Sequence, residues 1–199
     1  MRGGAVKRKL YLVILIGMFW IVNRGEALGQ QLDHLHSLAL DPQTGTLLMG
    51  THNGFYESRD EGKSWQKRTL KGDVPGTDFM TMVVEPANPT IIYAGGHDLA
   101  VVKSADGGMN WQRAGKGLPT TDIHALAVDP KNSKRLYAWA VGSGLYRSDD
   151  GAASWSRVDD GPENPNVTSL VSVPIPTGMG GIFLYAGTAA GLFRGPDCF

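Results

Sequence analysis

Pro42, Pro86, Pro130 and Pro174 stand 44 residues apart, and each closes a short apolar run. The runs are His36-Ser-Leu-Ala-Leu-Asp-Pro42, Met80-Thr-Met-Val-Val-Glu-Pro86, His124-Ala-Leu-Ala-Val-Asp-Pro130 and Thr168-Ser-Leu-Val-Ser-Val-Pro174. A fixed period in the low forties marks an array of supersecondary units, each too small to bury its apolar face alone. The runs are continuous rather than alternating, which predicts first strands buried on both faces. Turn formers follow the acid-proline pair: Gln43-Thr-Gly45, Ala87-Asn-Pro89 and Lys131-Asn-Ser133. A second strand is expected over 47–51, 91–95, 136–140 and 183–187, and a third over 54–57, 100–103, 144–147 and 191–194. A fourth is expected to start at Trp65, Trp111 and Trp155.

Between the third and fourth strands lies the most specific motif in the chain. It reads Ser58-Arg-Asp60-Glu-Gly62-Lys-Ser64-Trp65, then Ser104-Ala-Asp106-Gly-Gly108-Met-Asn110-Trp111, then Ser148-Asp-Asp150-Gly-Ala152-Ala-Ser154-Trp155. Ser and Asp can bond to turn backbone groups, Gly permits positive φ, and Trp buries a large ring between sheets. The third copy has Gly151 one place early and Ala152 where Gly belongs, so a strained or rearranged turn is expected there. The motif resembles the Asp-box, or bacterial neuraminidase repeat, and the match runs over nearly all of residues 33–195. The resemblance implies a propeller, as in sialidases, bacterial xyloglucanases and sortilin-type receptors.

Four antiparallel strands per repeat are also what a β-propeller blade requires. The fold class expected is therefore all-β, a partial β-propeller of about four four-stranded blades over 33–70, 77–114, 121–158 and 166–195. The last blade lacks the box serine, the tryptophan and a fourth strand. It is read as an open edge, available for self-association by pairing with another chain.

Residues 1–29 form a separate unit. Arg2, Lys7, Arg8 and Lys9 precede 13 residues, 10–22, without a charge, and the small residues Ala27 and Gly29 follow. A basic head, short apolar core and small-residue exit describe a signal peptide cut before Gln30, and hence an exported protein. The alternative is an uncleaved anchor at 10–22, which is short of the roughly 20 residues a spanning helix needs. Membrane contact is expected only through this segment. Removing it takes away five basic residues and one acidic residue, leaving 14 Lys and Arg against 18 Asp and Glu. That balance is the opposite of the basic footprint nucleic-acid binding requires, so no nucleic-acid partner is expected. A single cysteine, Cys198, forms no internal disulfide.

Sequence signatures of catalysis are sparse. Gly62-Lys63-Ser64 mimics the end of a phosphate-binding loop, but Glu57 stands where its first glycine belongs. The arginine cluster and Phe/Tyr-Arg-Ile-Pro motif that resemblance to a sialidase would require are missing. Histidines supply the one constellation. His34, His36 and His124 enter first strands, while His52 and His97 lie between second and third strands. In an antiparallel blade both places fall on one face, around the mouth of the central channel. His34 and His36, two apart on a strand, are expected to point the same way. Asp78 and Asp122 occupy the entry position that His34 holds in blade one.

Three readings stay open for this cluster. It is a solvated polar rim, a transition-metal site formed by imidazoles, or a carbohydrate site with Asp78 and Asp122 as an acid–base pair. The resemblance extends to bacterial proteins labelled BNR-repeat glycosyl hydrolases. That label reflects the Asp-box, a structural lock, so catalysis is not inherited through it. The function expected is a non-catalytic scaffold binding a carbohydrate or protein ligand through the histidine face, with a glycoside hydrolase-like carbohydrate-active protein, or a truncated remnant of one, as the alternative. Trp139 is read as packing, and Asn166-Val-Thr168 is a glycosylation sequon that matters only in a eukaryotic secretory route.

Overall fold

The computed structural model describes residues 34–159, 166–175 and 181–197, which form strands joined by turns and loops, with no helix among them. Residues 1–33, with the expected signal and its anchor alternative, lie outside them, as does Cys198. Blade one comprises β1 (Leu35–Leu40), β2 (Leu47–Thr51), β3 (Gly54–Ser58) and β4 (Gln66–Lys67). A short linker strand, β5 (Lys71–Gly72), leads to blade two: β6 (Thr81–Val84), β7 (Ile92–Gly96), β8 (Ala100–Ser104) and β9 (Asn110–Arg113). Blade three holds β10 (Ile123–Asp129), β11 (Asn132–Ala140), β12 (Gly144–Ser148) and β13 (Ser156–Asp159). Blade four holds β14 (Val167–Val173), β15 (Ile182–Thr188) and β16 (Gly191–Asp197), with no fourth strand among the described residues. Each blade is an antiparallel meander, and β5 adds a parallel edge to the blade-two sheet by pairing with β9. Gly72 allows that edge: its φ is +93°, and a Cβ there would stand 2.1 Å from the Trp111 carbonyl oxygen.

The acid-proline pairs are turn anchors. Asp41 Oδ1 accepts the Gln43 N–H at 2.9 Å, Glu85 Oε1 the Ala87 N–H at 3.1 Å, and Asp129 Oδ1 the Lys131 N–H at 2.8 Å. First strands are innermost, with β1 packed on β6, β6 on β10 and β10 on β14. Two of these seams are pinned by side chains: Thr81 Oγ1 accepts the Leu126 N–H at 3.1 Å, and the Ser172 hydroxyl donates to the Val128 carbonyl.

The Asp-boxes close as hairpin locks. In the first, Ser58 Oγ donates to Asp60 Oδ1 at 2.8 Å and accepts the Gly62 N–H at 2.9 Å, while Asp60 accepts the Ser64 N–H and hydroxyl at 2.9 and 2.6 Å. The second repeats this with Ser104, Asp106, Gly108 and Asn110. The third keeps every bond with Ser148, Asp150, Ala152 and Ser154, so its turn is not rearranged. Strain does reach it, because Ala152 has a φ of +70° at the place Gly62 and Gly108 fill. Its indole differs: Trp155 Nε1 donates to the Ala114 carbonyl of blade two at 2.7 Å, whereas Trp65 and Trp111 donate within their own turns to Gly62 and Gly108.

Trp111 and Trp155 pack against the preceding blade. Trp111 meets Phe55 of blade one and Phe79 edge-on, and Trp155 joins a core with Tyr93 and Val101 of blade two. Nothing described precedes blade one. Trp65 is accordingly only partly buried, and the expectation of a doubly buried first strand fails there: Leu35, Leu38 and Leu40 are exposed, while Ala125, Leu126 and Ala127 in β10 are sealed. Trp139 is 2% exposed and packs on Val167, Leu170 and Leu184 of blade four, as a packing residue should. The fourth strands begin at Gln66, Asn110 and Ser156, one residue to either side of the tryptophans.

The end of β16 was not legible as a structural feature. Asp197 is buried, takes a hydrogen bond from the Tyr137 hydroxyl, and pairs with Arg147 at 3.2 Å. Blade four is thereby tied to blade three without an Asp-box. Burial and then the Asp197 bond push the Tyr137 hydroxyl far above its ordinary pKa.

Candidate functional site

The period of the sequence places three residue positions of every blade at one end of the inner strands. The entry position carries His34, Asp78, Asp122 and Asn166, and two residues later stand His36, Met80, His124 and Thr168. The first residue after the second strand is His52, His97, Val141 and Ala189. Histidine and aspartate thus hold seven of these nine positions in blades one to three, with Met80 and Val141 at the other two, and none of the three in blade four.

Two backbone devices bring them together. The β1–β2, β10–β11 and β14–β15 registers shift across His36, His124 and Thr168, so these residues stand outside the regular ladder. A bulge of this kind re-aims a side chain. The second device stitches the end of one blade to the entry of the next. Phe79 N–H donates to the Thr51 carbonyl at 3.0 Å, and Ala100 N–H to the Thr121 carbonyl at 2.8 Å. His52 of blade one is thereby held beside Asp78 of blade two, and His97 of blade two beside Asp122 of blade three. Gly96 completes the approach within blade two, since a Cβ there would come within 1.7 Å of the Asp78 carbonyl oxygen.

A continuous chain of side chains results. His36 Nε2 lies 2.9 Å from His52 Nε2. Asp78 Oδ2 lies 2.8 Å from both His52 Nδ1 and His97 Nδ1. His97 Nε2 lies 3.0 Å from His124 Nε2, which is 2.9 Å from Asp122 Oδ1. His97 Nε2 is itself 3.7 Å from that oxygen. The sequence expectation that these residues share one face is met for His36, His52, Asp78, His97, Asp122 and His124. His34 is placed differently. It precedes β1 with a φ of +55°, so strand alternation with His36 does not apply, and its ring centroid lies 5.2 Å from that of His52.

Protonation follows from the geometry. Burial works to raise the Asp78 carboxyl, but the bonds from His97 and His52 outweigh it and hold the group below the usual carboxylate range. An ionised carboxylate only accepts, so both histidines present Nδ1–H to Asp78. The Asp78 bond raises His97 above an ordinary histidine, against the effect of burial. His36 is lowered, first by burial and then by the neighbouring His52. Asp78 Oδ1 and Asp122 Oδ1 are buried atoms that make no hydrogen bond; the close approach of His124 Nε2 to Asp122 Oδ1 is a charge contact only.

The family described as photosynthesis system II assembly factor YCF48, a BNR-repeat family, matches residues 27–182. The chain belongs to that family. No curated protein matches the sequence. Among solved structures, a GH74 enzyme from Niastella koreensis superposes with a TM-score of 0.61 at 20% identity, over 83% of this chain and 29% of that one. YCF48 bound to D1 peptide superposes at 0.51 and 15% identity, over 77% of this chain and 46% of that one. The computationally designed Ika4 protein superposes at 0.56 and 15% identity, over 85% of this chain and 95% of that one. The YCF48-family chain therefore spans under a third of the GH74 enzyme and under half of the peptide-bound YCF48. At these identities the structural likeness establishes the propeller fold alone.

Proposed function

We propose that this YCF48-family propeller is an exported, non-catalytic scaffold that binds a segment of another protein across the His/Asp end of its inner strands. The observation that carries the reading is the position of His97. Its imidazole stands between the two candidate carboxylates, 2.8 Å from Asp78 and 3.7 Å from Asp122. Glycoside hydrolysis needs two carboxyls flanking an open gap for sugar and water, one of them kept protonated. Here a ring fills the gap. The YCF48 structure with a bound D1 peptide supports a peptide as the class of ligand.

The test has two arms. Peptide-display selection against the metal-free protein should return binders whose affinity falls on His97→Ala or Asp122→Asn. A panel of plant and bacterial polysaccharides should yield no sugar release. Turnover abolished by Asp122→Asn would overturn the binding reading in favour of a glycoside hydrolase. Export is tested by N-terminal sequencing of the mature protein, which should begin at Gln30.

A further inference from the structure

We infer that His97, His124 and Asp122 form a binding site for one divalent first-row transition-metal ion, of which zinc is the reference case. The donor atoms are His97 Nε2, His124 Nε2 and Asp122 Oδ1, and their mutual separations are 3.0, 2.9 and 3.7 Å. Ligands about 2.1 Å from an ion, set at angles between octahedral and tetrahedral, stand about 2.9–3.4 Å apart. The three separations bracket that range, so an ion is accommodated by small side-chain adjustments.

The polar atoms that meet at this point give a second reason. His97 turns its Nδ1 to Asp78, which leaves Nε2 as the ring nitrogen that faces His124 and Asp122. That nitrogen, His124 Nε2 and Asp122 Oδ1, a buried oxygen that makes no hydrogen bond, all face one another. A cation satisfies all three. Asp78 takes the role of a carboxylate behind a metal-bound histidine, fixing the tautomer and orientation of His97. Asp78 is thus a positioning residue and not a ligand. Three protein ligands leave at least one coordination position open, and blades two and three supply all of them.

His36 and His52 face each other at 2.9 Å, with Asp78 behind His52 in the same manner. With Asp78 it makes a second group of three potential ligands, but there the carboxylate is already bonded to His52 itself and to His97, whereas Asp122 makes no such bond in the His97 group. The inference does not depend on which ligand the protein binds, because its readout is the ion alone.

The experiment titrates Zn2+ by calorimetry, and Co2+ by visible absorption, into the full chain after chelation. Circular dichroism of every variant verifies the fold. One high-affinity equivalent is expected, with Co2+ bands that Zn2+ abolishes. His124→Ala should remove those bands, and Asp78→Asn should weaken zinc binding by about 10- to 100-fold, as loss of an orienting carboxylate does. His34→Ala should leave the affinity at the wild-type value. Absence of saturable zinc binding overturns the inference, and so does equal weakening by His34→Ala and His124→Ala.

Discussion

Trp65 and Trp111 occupy the same place in the same motif, yet their replacement by alanine should have unequal consequences. Trp111 is 3% exposed and is enclosed by Phe55 at 6.0 Å and Phe79 at 5.8 Å between ring centroids. Removing it opens a sealed cavity between blades one and two, a change that costs about 3–5 kcal/mol for a buried tryptophan. Trp65 has no preceding blade among the described residues to pack against, and it is only partly buried. Water can enter the space left by Trp65→Ala, so only the transfer contribution is lost, about 1.5–3 kcal/mol. Urea unfolding followed by far-UV circular dichroism, analysed with a shared slope, reads the difference directly. Trp111→Ala should be the more destabilising substitution by about 1.5–2 kcal/mol, the gap between those two ranges. Equal costs, or a larger cost at Trp65, would refute the idea that each box tryptophan seals the seam with the blade before it.

Two further outcomes follow from the locks and the seams. Bonds from the side chain and N–H of Ser64 hold Asp60 at about 2, those from Asn110 hold Asp106 at about 2, and those from Ser154 hold Asp150 at about 2. Their unfolded counterparts titrate near 3.9, so the associated stability is present above about pH 4 and drains away as pH falls toward about 2. Asp106→Asn should flatten part of that acid dependence in unfolding midpoints measured across the interval. An unchanged slope would contradict the assignment. Gly96→Ala forces a Cβ onto the Asp78 carbonyl oxygen and should destabilise by about 3 kcal/mol, the upper range for overpacking. It should also displace the His97 and Asp78 resonances in NMR spectra, and silence at both residues would show that the close approach does not exist.

The sequence made some parts of this molecule legible and hid others, for physical reasons that differ by residue. The Asp-boxes could be read because their serine and aspartate bonds are local, joining residues no more than four apart, such as Ser58 to Gly62 and Asp60 to Ser64. The 44-residue period also identified the residues that meet at the histidine end, since equivalent positions of equivalent blades must share a face. The pairing among them was hidden. His52 meets Asp78 only because the Phe79 N–H stitches blade two to blade one. His34 escaped the alternation rule by turning to positive φ before the strand began. The exposure of Leu38 and Leu40 was equally hidden, because a buried first strand requires neighbours on both sides and blade one has one described neighbour. Asp197 carried no motif at all. Its clamp on Tyr137 and Arg147 is a contact between residues 50 or more apart, arranged by strand register alone.

The central claim is that a single ionised carboxylate, Asp78, fixes histidines from two successive blades into one site. Long-range nitrogen–proton correlation spectra of the imidazoles, recorded on metal-free protein at alkaline pH, test it most directly. His52 and His97 should both appear with the proton on Nδ1 and a bare Nε2, and Asp78→Asn should abolish that tautomer at both residues together. Histidines protonated on Nε2, with spectra indifferent to Asp78→Asn, would contradict it.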